Sequence, residues 1–231
     1  LDDPAILFIL TDIIFILLHL GYYFAHSFTD ATPSYLYSLD TDRAYSEVFQ
    51  YIKEYWSALL LAFLTARHRS ILDFVWSLLF FYLFLDDAIQ IHESLGALIS
   101  TKLGFPGILN LRPVDLGEFL VSSLVGLLFL SSIVLSIRFG DRISRKASKT
   151  LILLLVLLAV FGVAVDMLHI IIRKFVTNLF IDEGLVGALE DGGEMVVMSA
   201  IASFIFEVAH QATSFKSKEM SLETTYDRTR V

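Results

Sequence analysis

The chain has no cysteine, which excludes disulfides and thiolate-held metal sites together. It opens Leu1-Asp2-Asp3-Pro4, with no basic residues ahead of the first apolar run and no small-residue cleavage site after it. That run therefore reads as a retained helix rather than a signal peptide. No internal repeat and no second domain can be traced. What remains is strongly apolar: 56% of the 231 residues are hydrophobic and the mean hydropathy is +0.70. Soluble domains lie nearer about 45–50% apolar, so the composition points to a chain solvated by lipid.

About 20 apolar residues cross a bilayer as a helix, and the sequence offers six such stretches. They are Pro4–His26, Val48–Ala66, Ile71–Glu93, Leu116–Ile137, Leu151–Ile172 and Leu185–Val208. Each is expected to be helical, because hydrocarbon offers an open backbone no hydrogen-bond partner. The fold class expected is all-α: a polytopic membrane bundle of about six helices over residues 1–213, followed by a polar cytoplasmic tail, 214–231. Basic residues cluster after the second stretch (Arg67, Arg69), after the fourth (Arg138, Arg142, Arg145, Lys146, Lys149) and after the sixth (Lys216, Lys218). The positive-inside bias puts all three in the cytoplasm. Six spans alternate correctly with that assignment only if both termini are cytoplasmic. The opposite side has connections at 27–47, at 94–115 (rich in Gly and Pro, a loop or a shallow re-entrant stretch) and at 173–186. The expected location is a bacterial inner membrane or plasma membrane.

Charged groups inside a membrane are costly and mark candidate sites. Asp86 lies sixteen residues beyond Ser70, Asp166 sixteen beyond Thr150, Glu194 sixteen before His210, and His19 fifteen beyond Pro4. At 1.5 Å per residue all four sit roughly 24 Å from the cytoplasmic boundary, in one slab toward the outer side. Helical spacing groups their neighbours on shared faces: Asp86, Gln90 and Glu93 with His92 nearby; Asp166, His169 and Arg173; Glu190 and Glu194 with Asp191 beside them. Asp87 points further round its helix, and Asp12, His19 and His26 recur every seven residues.

Carboxylates and imidazoles on three helices are the ligands of borderline and hard metals, and helical bundles hold di-metal sites with such sets. The expected site is Asp86, His92, Glu93, Asp166, His169, Glu190 and Glu194, supported by His19, Asp87, Gln90, Arg173 and Asp191. It would take one or two divalent ions (zinc, iron or manganese). Plainer readings stand beside this one. His92 and Glu93 can mark the end of a span. Asp166 and His169 can pair with Arg173 and Lys174, and Glu190, Asp191 and Glu194 beside Gly192-Gly193 can form a watery helix start. A lone membrane histidine such as His19 usually bonds a neighbouring helix. Asp12 stands deeper and apart, His68 and His210 are interfacial, and Glu47, Lys53, Glu54 and Glu118 read as solvated helix starts.

Leu85-Asp86-Asp87-Ala88-Ile89-Gln90-Ile91-His92-Glu93 resembles the Asp-(Asp/Glu)-x-x-x-Ile-His-Glu stretch of a group of uncharacterised bacterial multi-helix membrane proteins. Glu190-Asp191-Gly192-Gly193-Glu194-Met195 resembles their Glu-Glu-x-x-Glu-Met stretch. The departures are Asp87 and Asp191, where glutamate is common, and the glycine pair. The resemblance supports the choice of residues and implies no reaction. The histidine boxes of integral desaturases are absent, as are the Ser-x-x-x-His and His-x-x-x-His patterns of ceramidase-like hydrolases. Three functions follow as expectations: a metal-binding membrane protein, with a metal-dependent enzyme on a lipid-like substrate as one form of it; a cation or proton transporter or channel component; or a non-catalytic subunit of a larger complex. The expected partners are the bilayer, a lipid-like or cationic ligand, and a homo-oligomer or membrane-complex partner, with no nucleic acid.

Overall fold

A computed structural model describes residues 4–107, 111–176 and 178–228, with the side chains of Lys174 and of residues 214–228 outside the described set. The described residues are 87% helical and contain no strand. In chain order the helices are α1 (Pro4–Phe28), α2 (Tyr45–His68), α3 (Ile71–Ile89), α4 (Ile91–Leu103), α5 (Pro113–Ser136), α6 (Arg142–Ala159), α7 (Asp166–Ile172) and α8 (Gly187–Arg228). Two π-helical segments, Val160–Val165 and Phe180–Val186, lead into α7 and α8.

Local chemistry sets several boundaries. Ser70 caps α3, its side chain accepting from the Asp73 amide. At α5, Pro113 stands in the first turn and Asp115 accepts from the Arg112 backbone amide at 2.7 Å. Asp141 caps α6 by accepting from the amides of Ser144 and Ile143. Each side chain satisfies an amide that has no partner within its own helix.

Among the described residues, four helical stretches are long and apolar enough to cross a membrane: Pro4–Phe28, Pro113–Phe139, Arg142–Ile172 and Phe180–Thr213. Counting the bent pair α3–α4 as one span makes five. The second expected span, now α2, has the length at 24 residues but carries Glu47, Lys53, Glu54 and Arg67. The third expected span does not run straight to Glu93. It ends at Gln90, whose φ is +54°, and the chain leaves as α4 at 72° to α3. The physical cause is Asp86, whose Oδ1 accepts from the His92 amide at 2.7 Å and so starts a new helix. Much of the 94–115 connection is thus helix, with residues 108–110 outside the described set. α4 lies against α5 where Gly96 meets Gly117, and a Cβ on Gly96 would stand 2.5 Å from the Glu118 backbone nitrogen.

Apolar side chains are turned outward and several charged ones inward. Ile6, Leu10, Ile14 and Leu17 of α1 and Leu124, Leu128 and Leu135 of α5 face outward, whereas Asp12, Lys53 and Glu54 are buried. This arrangement, with several membrane-length apolar helices, fits a membrane protein. α8 is the central helix, packed by α1, α2, α6 and both π segments. Toward the basic turns the interior is dry: Leu61, Leu64, Trp76, Phe80, Ile133, Leu151, Ile201 and Ile205 form one core. Toward the other end α2 turns a polar stripe inward, Ser46, Gln50, Lys53 and Ser57, at spacings of four, three and four residues. The bundle therefore has one apolar end and one polar end.

Candidate functional site

The polar end is organised around a cavity of about 210 Å³. It lies under the α1–α2 connection, opposite the basic turns. Its walls include the carboxyls of Asp40, Asp42, Glu47, Asp87, Asp191 and Glu194, together with Ser46, Gln50 and Met195. No lysine, arginine or histidine is among its lining residues. Six carboxyls around so small a volume cannot all be ionised without strong mutual repulsion, which either protons or a cation relieve.

Three of the carboxyls come from the helices that the sequence singled out. Asp87 projects from α3 and touches Glu54 of α2. Glu194 of α8 accepts from Gln50 Nε2 at 3.4 Å. A side chain on Gly162, in the first π segment, would bring its Cβ within 2.8 Å of Glu194 Oε2, so the wide π turn fits closely over this carboxyl. Asp191 lines the cavity one turn before it. The α1–α2 connection supplies Asp40 and Asp42 and is held down by His19. The Nδ1 of His19 accepts from the Leu39 amide at 2.9 Å, which leaves Nε2 to donate to the Glu183 carbonyl at 3.0 Å. His19 is a bridge between helices, as its isolation suggested. Tyr23 adds a hydrogen bond to Asp40 Oδ2 at 2.6 Å.

The other predicted residues flank the cavity in two groups. In the first, His92 Nδ1 lies 3.1 Å from Asp86 Oδ2. Glu93 follows, half-buried in the first turn of α4, and Gln90 donates to Asp42 Oδ2 at 2.7 Å. In the second, His169 is held from both sides, Nδ1 by Glu190 Oε2 at 2.5 Å and Nε2 by Asp182 Oδ1 at 3.2 Å. Asp166 is in hydrogen-bonding contact with Glu190, and Arg173 pairs with Asp182 at 3.4 Å and with Glu183. An ion network is present, but not with the expected pairs: Arg173 and His169 both reach Asp182, and Arg173 also pairs with Glu183, while Lys174's side chain lies outside the described residues.

The helix-start reading of α2 fails for Lys53 and Glu54, which are 0% and 2% exposed. The reason is the stripe with Gln50 and Ser57, a spacing visible in the sequence. Asp12 lies outside the cavity lining and is the partner of Lys53 at 3.4 Å. Asp182, in the third outer connection, was missed because nothing in its spacing ties it to His169.

At the opposite end, His68, Asp73 and Asp141 each bring one ligand atom within 4.8 Å of the others. Among the described residues this is the group with metal-ligand spacing, and it holds none of the expected site residues. Its atoms already have structural work. Asp73 accepts from Ser144 Oγ at 2.8 Å and contacts His68 Nδ1 at 3.2 Å. Asp141 caps α6 in the turn outside the spans. Burial alone would raise its carboxyl, but hydrogen bonds from Ser144 and Ile143 hold it below the usual carboxylate range.

The fold and site define a helical bundle with an apolar exterior and a carboxyl-lined interior at one end. The chain belongs to the family described as Domain of unknown function (DUF8692), which matches residues 7–208. No curated protein and no solved structure matches it.

Proposed function

We propose that this is an integral membrane protein of six spans with both termini cytoplasmic, and that it binds a divalent cation in the carboxyl-lined cavity near the outer leaflet. The observation that carries this reading is the convergence of Asp87, Asp191 and Glu194, from two helices, on one volume with no cationic side chain in its wall. Gln50 is 7% exposed, and its Oε1 has no hydrogen-bond partner among the described residues, which provides a neutral oxygen donor at the same place. A donor set of carboxylates and an amide oxygen suits a hard ion. Of zinc, iron and manganese, manganese fits it best. The cavity has no aromatic wall, which favours an inorganic ion over an organic ammonium. Elemental analysis of protein purified with manganese, iron and zinc present tests the reading. Near-stoichiometric metal in wild type, lost in Asp191→Asn/Glu194→Gln, supports it; wild type without metal sinks it.

A second reading, cation passage, is favoured by the 72° break at Gln90 and by the two π segments. Irregular backbone at membrane depth is typical of helices that line ion sites in transporters. Cation flux in liposomes that is abolished by Glu194→Gln supports this reading, and flux unchanged by that substitution removes the cavity from the route.

A further inference from the structure

Below the cavity, the α2 stripe reaches a fully buried ammonium. Lys53 Nζ donates to the Met195 carbonyl at 2.8 Å, to Ser199 Oγ at 3.1 Å and to Asp12 Oδ1 at 3.4 Å. It also lies 4.8 Å from the centroid of the Phe49 ring. Three oxygens from α1 and α8 and one aromatic face surround a single positive charge. The ammonium's three N–H donors match these three oxygens, yet carboxyl oxygens nearby are left over. Asp12 is 0% exposed and Glu54 is 2% exposed, yet Asp12 Oδ2 and Glu54 Oε2 have no hydrogen-bond partner among the described residues. A buried carboxyl oxygen left alone is expensive. Met195 also lines the cavity, so the two places share a wall. Ala58, Leu61 and Ile201 of the apolar core lie beyond, toward the basic turns.

We propose that Asp12, Ser199 and the Met195 carbonyl form an inner station for a monovalent cation, in series with the cavity, and that the Lys53 ammonium is a tethered occupant that blocks it. The cavity reading is needed only for the route by which ions arrive; the station rests on its own donors. A cation from the cavity then enters the station only when Lys53 vacates it, and the apolar core beyond makes the station the inner end of the route.

The test removes the tethered charge and offers a free one. Lys53→Met and Lys53→Gln are purified in choline chloride, and thermal unfolding is followed as sodium replaces choline. Sodium should stabilise both variants, with an apparent affinity at least tenfold tighter than in Lys53→Met/Asp12→Asn. Restoration of folding by sodium, where choline gives none, counts the same way. The proposal is overturned if sodium and choline act alike on both single variants, including failure to fold in either. It is also overturned if the Asp12→Asn change leaves the sodium response intact. Manganese binding by wild type reports on the cavity separately, so either reading can fail while the other stands.

Discussion

The crossing of α4 and α5 gives the sharpest test of the packing. A Cβ on Gly117 would overlap the Gly96 carbonyl group. The obstacle is backbone, with no rotamer to change, and carbon–oxygen contact requires roughly 3.5 Å. Overpacking of this kind costs about 1–3 kcal/mol, and the rigid obstacle places Gly117→Ala at the upper end. Replacing a helical glycine recovers up to about 1 kcal/mol, so the net loss should be about 2 kcal/mol. Gly126, nine residues along the same helix, is the control, because a Cβ there meets nothing within 4 Å. Gly126→Ala should be neutral or stabilising by up to about 1 kcal/mol. Reversible unfolding of the three proteins in mixed detergent measures the difference. Equal stability of the two variants, or a Gly117→Ala protein as stable as wild type, would refute the close approach. The effect should reach the site, because α4 carries His92 and Glu93.

Gln90→Gly should change stability by less than about 1 kcal/mol in the same assay, because relief of the left-handed φ of +54°, worth about 1 kcal/mol, is offset by loss of its hydrogen bond to Asp42. Gln90→Val should destabilise, and an opposite ranking would place the bend elsewhere. Asp141→Ala should cost about 1 kcal/mol at neutral pH, the usual worth of a helix cap. Because the folded carboxyl is held below its ordinary value, its stabilisation is complete above about pH 4 and fades as pH falls through the folded value. The gap between wild type and Asp141→Ala should therefore narrow in acid, and a gap that widens would contradict the capping role.

Most of the helical frame was legible from apolar run length, since hydrocarbon permits little else. The break at Gln90 was not. It depends on a non-glycine residue in the left-handed region and on a carboxylate, Asp86, reaching six residues ahead to the His92 amide. The candidate site was legible in part. Depth along the helices brought Glu194, Asp191 and Asp87 to one end, but depth says nothing of partners. Asp86 and His92 pair with each other, and His169 is taken by Glu190 and Asp182, so these residues flank the cavity instead of lining it. The α2 stripe carried the missing information in the spacing of Ser46, Gln50, Lys53 and Ser57. Charge on that helix suggested a solvated start, whereas its inward face is where the buried ammonium sits. The folding of Asp40 and Asp42 over the cavity depends on His19 and Tyr23, contacts that no local pattern announces.

The most direct test of the cavity as a cation site is manganese titration of the purified protein, followed by the loss of the free-ion electron paramagnetic resonance signal. Wild type should take up one ion per chain at saturation, and Asp191→Asn/Glu194→Gln should weaken that binding at least tenfold. Wild type that leaves the free-ion signal untouched, or a double variant that binds as wild type does, would contradict the account.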